Sequence, residues 1–263
     1  MLVPFLVPRG GDIRLRYTEE PPPLPGRAEM LFDSGGVWRV ERAKDGLLYS
    51  FRIRGRRPPL YKVVSIDEGL REGRLHFDPS PRGPHFALDY PLDELLFQHR
   101  LAREGAAEVH GCGVVWKDRT LLFCGRSGAG KSTTARLWKR HARGAQLLSD
   151  DRVVLRPVRG GVRASGTPWH GDGGFASPAS ARLGAVFFLR HGKTTRLTPL
   201  GTAEAAARLF ARSFPPPWDT EGLEGALDAC ADAAAAVPAF DLAFRPDRSM
   251  VEAVRAVAGW SGG

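Results

Sequence analysis

Eight consecutive residues, Gly125-Arg126-Ser127-Gly128-Ala129-Gly130-Lys131-Ser132, satisfy the pattern G-x-x-x-x-G-K-[ST]. They stand between an apolar run that reads as a strand and a segment that reads as a helix. Glycines at these spacings let successive backbone N–H groups close around phosphate oxygens at the positive end of the new helix. Lys131 adds a charge for the β and γ phosphates, Ser132 offers a hydroxyl to magnesium, and Thr133 completes the cofactor-binding set. The implied ligands are ATP and Mg2+.

Beyond the following helix, Leu148-Ser149 runs into the acidic pair Asp150-Asp151, then Arg152-Val153. Phosphoryl transfer needs positioning, cations on the developing charge and one carboxylate near the attacking hydroxyl. An acidic pair at a strand end can serve both metal and base. Neighbouring carboxylates on an extended chain point to opposite sides, so the two are expected to do different jobs.

His110-Gly111, a strand hairpin, the G-x-S-G-x-G-K-S loop, a helix and then Leu148 to Val153 together resemble the catalytic domain of bacterial HPr kinase/phosphorylase. The kinase-like relatives of that family include kinases that modify precursor peptides in some lasso-peptide clusters. The resemblance runs from about His110 to Leu155 and is weak elsewhere. It implies Asp151 as general base on a serine hydroxyl, His110 as the residue that helps position it, and Lys131 and Ser132 on phosphate and metal. Asp150 is then assigned to magnesium or its water shell. The family's metal-binding glutamate and basic phosphorylase loop have no counterpart pattern here. In their place stands Thr167-Pro168-Trp169-His170-Gly171-Asp172-Gly173-Gly174, a glycine-rich segment with the character of an active-site loop, where Asp172 is expected to complete the metal site and His170 to touch substrate.

The elements that must hold these residues give an α/β fold class. Residues 1–80 alternate short extended runs (37–40, 47–53, 60–66, 74–77) with Gly-, Pro- and Asp-rich turns, which predicts an antiparallel β-rich region, assigned to 1–90 and able to dock a substrate. The cluster Pro21, Pro22, Pro23 and Pro25 reads as an extended connector inside it. Residues 91–263 are expected to form the catalytic domain, of the HPr kinase/PEP carboxykinase type by resemblance. Its predicted helices cover 92–104, 131–141, 202–214, 223–235 and 247–258, the last with Asp247 as N-cap. Its predicted strands cover 114–116, 120–124, 147–148, 153–155, 185–189 and 239–244.

The chain has 263 residues, 43% of them hydrophobic, enough to bury a sizeable core. A net charge of +9 favours acidic partners electrostatically. No stripe interleaves the arginines with aromatics as single-strand binders do, which speaks against a nucleic-acid partner. Three cysteines, Cys112, Cys124 and Cys230, without a C-x-x-C pair, argue against a disulfide framework or zinc site and fit a reducing cytoplasm, with Cys112 and Cys124 expected to be core filler. The apolar start is broken by prolines and too short to span a bilayer, so no signal peptide, anchor or membrane partner is expected.

These observations together point to a kinase acting on a serine-type hydroxyl of a peptide or protein. A kinase of a small hydroxyl compound, such as free serine or a sugar, is the alternative. A nucleotide-gated or nucleic-acid-associated ATPase, with Arg52, Arg54, Arg56 and Arg57 as a phosphate-facing patch, is a third. A homo-oligomer stays open.

Overall fold

The computed structural model describes residues 3–5, 10–23, 26–53, 60–79 and 86–258. Pro25, Arg54, Arg56 and Arg57 lie outside the described residues. The chain is mixed α/β, with two sheets and five helices among those residues. It divides into two compact units: Val7–Arg100 with Pro216–Thr220, and Leu101–Pro215 with Glu221–Gly263 and the first six residues. The first unit therefore reaches ten residues past the expected limit at 90 and takes in a short segment from late in the chain.

In the N-terminal unit, strands β1 (Arg14–Thr18), β2 (Glu29–Asp33), β3 (Trp38–Ala43), β4 (Gly46–Arg52), β5 (Leu60–Ile66) and β6 (Glu72–Phe77) form one sheet in the order β1-β6-β5-β4-β3-β2. Neighbours from β2 to β6 are antiparallel, as expected, but β1 runs parallel to β6. The extended runs carry no information about which edge the first strand joins. Val40, Tyr49, Phe51, Val64 and Leu75 build the core of this unit, with Leu92, Leu95 and Leu96 from helix α1 (Leu92–Arg103) and Trp218 from the late segment. Within the unit, His99 Nε2 donates to Asp219 at 2.8 Å and its Nδ1 bonds the Tyr49 hydroxyl at 2.5 Å.

The second unit is built on β7 (Ala107–Trp116), β8 (Arg119–Cys124), β9 (Gln146–Ser149), β10 (Arg152–Val158), β11 (Gly161–Gly166), β12 (Ser180–His191), β13 (Arg196–Leu200) and β14 (Ala239–Phe244). The sheet order is β11-β10-β7-β8-β12-β14-β13, with β9 added on β7 and β11 also pairing β12. β8, β12 and β14 are parallel neighbours, and their near-continuous apolar runs are what burial on both faces demands. On β8 the alternation is plain. Leu122 and Cys124 face a layer formed by α3 (Thr202–Phe210) and α4 (Thr220–Ala236), through Ala205, Leu209, Ala226 and Ala229. Leu121 and Phe123 face the opposite layer, α2 (Lys131–His141) and α5 (Arg248–Val257), through Trp138, Met250 and Val254.

Helix α2, β14 and the α5 cap appear where the sequence places them: Asp247 accepts the Ser249 N–H at 2.9 Å. The expected helix 202–214 stops at Phe210, and residues 211–214 turn back to β7, where the Ser213 backbone bridges Val109. No helix among the described residues is long and apolar enough to cross a membrane.

All three cysteines are free and buried, and removal from water pushes the Cys124 and Cys230 thiols up to about 12. Cys112 is likewise raised by burial. A thiolate-selective disulfide reagent at pH 8 should therefore release no colour from the native protein and three equivalents after guanidinium unfolding. Rapid native labelling would contradict the packing role.

Candidate active site

The loop after β8 sits at the carboxyl ends of the three parallel strands, where open α/β sheets place their ligands. His191, the last residue of β12, donates from Nε2 to the Gly128 carbonyl at 2.8 Å. Gly130 has φ 103°, and a Cβ there would stand 2.7 Å from Cζ of Phe244, the last residue of β14. Both its conformation and its neighbour require glycine. Lys131 Nζ donates to the carbonyls of Gly125 (3.2 Å) and Arg126 (3.3 Å), which curls its cation back over the loop. Burial holds its pKa below the ordinary lysine value despite the opposing pull of Asp151. Arg126 and Ser127 are exposed, while Gly125 is buried at the strand end.

Asp150 and Asp151 lie in a bend between β9 and β10 and not on an extended strand as the sequence suggested. Ser149 makes the bend, its hydroxyl oxygen accepting the N–H groups of Asp151 and Arg152, both at 3.1 Å. The two carboxylates still diverge. Asp150 is 1% exposed and accepts the Ser132 hydroxyl at 2.8 Å, together with the N–H groups of Gly171 (3.0 Å), Gly173 (2.7 Å) and Phe175 (3.3 Å). The 167–175 segment thus wraps this carboxylate. Its own anchors are Thr167, whose hydroxyl donates to Arg152 O at 2.9 Å, and Trp169, whose carbonyl accepts from Ser149 at 3.2 Å.

Asp151 meets His110 because of register. β7 and β10 are antiparallel with His110 opposite Arg152, so the residue just before Arg152 reaches the imidazole. His110 Nε2 lies 2.9 Å from Asp151 Oδ1, and Arg152 donates to Oδ2 of the same carboxylate. Burial opposes ionisation of Asp151, but the His110 hydrogen bond and the charges of Arg152 and Lys131 outweigh it and hold the carboxyl below its usual range. Phe214 backs both partners, with the Arg152 guanidinium 4.0 Å above its ring and the His110 ring centroid 6.0 Å away.

Part of this set lines one cavity of about 430 Å3; Asp150, Arg152 and Phe214 lie behind it and are not among the lining residues. The glycine-rich loop and the start of α2 supply Ser127, Gly128, Gly130, Lys131, Ser132 and Thr133; the other walls include His110, Asp151, Gly171 and Asp172. Asp172 is exposed on the rim. His170 is not among the lining residues; its Nδ1 lies 2.8 Å from the Gly171 carbonyl. One further wall, Arg136, was missed from the sequence, although it stands one helical turn beyond Ser132. Phe214 was missed too, since only the turn after α3 brings it to His110. A larger groove, about 850 Å3, lies in the N-terminal unit, but no histidine, cysteine or lysine lines it, and its Asp67 already accepts N–H groups from Arg71 and Glu72.

No protein-family model matches the chain, and no curated protein does. Among solved structures the chain is similar to an HPr(Ser) kinase/phosphatase from Coxiella burnetii, at 14% identity and a TM-score of 0.32, over 57% of this chain and 91% of that one. At that score the likeness says nothing of activity.

The loop that encloses Asp150 depends on a second glycine. A Cβ on Gly173 would stand 2.4 Å from Asp150 Oδ2, whereas one on Gly174 would meet nothing within 4 Å. Gly173→Ala should cost about 1–3 kcal/mol by displacing the loop. Gly174→Ala, which strains only a left-handed φ, should cost roughly 1 kcal/mol. Equal losses in chemical denaturation would contradict this account of the loop.

Proposed function

We propose that the chain is an ATP- and Mg2+-dependent kinase that transfers the γ-phosphoryl group to a serine-type hydroxyl of a peptide or protein, with Asp151 as general base. The observation that carries this reading is that a complete phosphate-binding loop and an ionised, histidine-bound carboxylate line the same cavity.

The residues present fit both ligands. The loop backbone and Lys131 offer donors and a buried cation to phosphate oxygens. Ser132 in the cavity and Asp172 on its rim would offer oxygen donors to magnesium alongside substrate phosphates, with Asp150 behind Ser132 orienting its hydroxyl. A magnesium ion bound there would supply positive charge to offset that of the β and γ phosphates.

In the step itself, Asp151 accepts the proton of the acceptor hydroxyl as that oxygen bonds to the γ-phosphorus. The bond from γ-phosphorus to the bridging oxygen breaks, and ADP leaves with the electron pair. His110 and Arg152 fix the base from either side of its carboxylate. Lys131 meets the charge that develops on the leaving phosphate. Asp150 aims the Ser132 hydroxyl and ties it to the 167–175 loop.

Asp151→Asn keeps shape and removes the base. It should lower kcat for transfer from labelled ATP to a serine peptide by roughly a hundred- to ten-thousand-fold while nucleotide affinity stays. Lys131→Ala should lower turnover by about a hundredfold or more and weaken nucleotide binding as well. An Asp151→Asn enzyme with wild-type kcat would remove the general-base role.

A further inference from the structure

The exposed side of α2 carries only cations. Arg136, Lys139 and Arg140 are exposed at i, i+3 and i+4, and Arg143 follows in the turn just beyond the helix. No acidic residue occurs anywhere in α2. Lys139 lies over the Phe175 ring at 5.2 Å, and none of the four is in an ion pair with an acid among the described residues. Cations in a last turn complement the helix dipole, which accounts for Lys139 and Arg140. It does not account for Arg136, which sits mid-helix and lines the phosphate cavity. Like charges four apart destabilise a helix, so Arg136 and Arg140 side by side carry a cost that folding alone does not explain.

We propose that this face of α2 docks an acidic segment of the polypeptide acceptor, with Arg136 holding the carboxylate nearest the acceptor serine. The proposal rests on the kinase reading above and names the substrate class. Three features support it. The stripe opens into the cavity that contains Asp151, so a chain lying on it delivers a neighbouring hydroxyl to the base. Spacing agrees: Arg136 and Arg140 are separated by about 6 Å along the helix. Side chains two apart on an extended peptide are separated by roughly 6.6 Å. Acidic side chains at alternate positions therefore meet successive cations. The exposed positions carry no aromatic ring, and Trp138 between them is fully buried, so the face lacks the stacking platforms by which single-stranded nucleic acids are gripped.

The test compares two synthetic peptides, each with one serine flanked on both sides by alternating residues, glutamate in one and glutamine in the other. With the wild-type protein and Mg-ATP, the glutamate peptide should have a kcat/KM about tenfold higher, the sum expected from several exposed charge pairs. The advantage should shrink as sodium chloride is raised, because exposed charges are screened. The double variant Arg136→Glu/Arg140→Glu should instead prefer a lysine-flanked peptide. Equal rates for the two peptides, or a preference that survives charge reversal, would overturn the docking proposal and leave the kinase reading standing. Transfer to no hydroxyl, with ATP hydrolysis stimulated by single-stranded DNA, would overturn both. Should the double variant fail to fold, the wild-type comparison and its salt titration still decide.

Discussion

A carboxylate removed from water has to be surrounded by donors, and Asp150 is surrounded by four, one hydroxyl and three backbone N–H groups. They come from the first turn of α2 and from the 167–175 loop, while Asp150 itself comes from the β9–β10 bend. One buried carboxyl group therefore locks three separate segments into a single geometry. The orientation of the Ser132 hydroxyl and the Gly171–Asp172 wall beside Asp151 both follow from it. So does the need for glycine at 173, where any side chain would occupy the space of the carboxylate oxygen.

The second constraint is strand register. Antiparallel pairing of β7 with β10 places His110 beside Asp151, and the turn after α3 seats Phe214 against His110 and Arg152. Asp151 thus carries its charge at the cost of partial burial because two donors hold it. Lys131 is in the opposite position. Burial weakens its hold on a proton, and its partners are two carbonyls, so it is a cation disposed to meet a polyanion. A cation and a carboxylate on one cavity are what the proposed transfer from a nucleotide to a hydroxyl requires.

Much of the second unit was legible in the sequence because its signals are local. Glycine spacing set the loop, the strand–loop–helix order set α2 from Lys131 to His141, and a short apolar run set strand β14 from Ala239 to Phe244. Other strands were not legible. β1, β2 and β13 lie at sheet edges, where charges and Pro199 replace the apolar alternation that marks an interior strand. β11, with only Val162 and Ala164 turned inward, gives too short a pattern. Long-range facts were out of reach as well: the parallel pairing of β1 with β6, the capture of residues 216–220 by the N-terminal unit, and the bend at Ser149. The loop 167–174 was recognised by composition, yet its structural task, enclosing Asp150 with backbone N–H groups, depends on contacts across more than twenty residues of sequence.

The central claim is that the cavity joining the phosphate loop to Asp151 passes the γ-phosphoryl group of ATP to a hydroxyl. Phosphorus NMR of the purified protein with Mg-ATP and a serine-containing peptide follows that group directly. The account predicts loss of the γ resonance, growth of ADP and a new phosphomonoester resonance that stays with the peptide. Release of inorganic phosphate alone, with no phosphomonoester formed on any hydroxyl acceptor supplied, would contradict it.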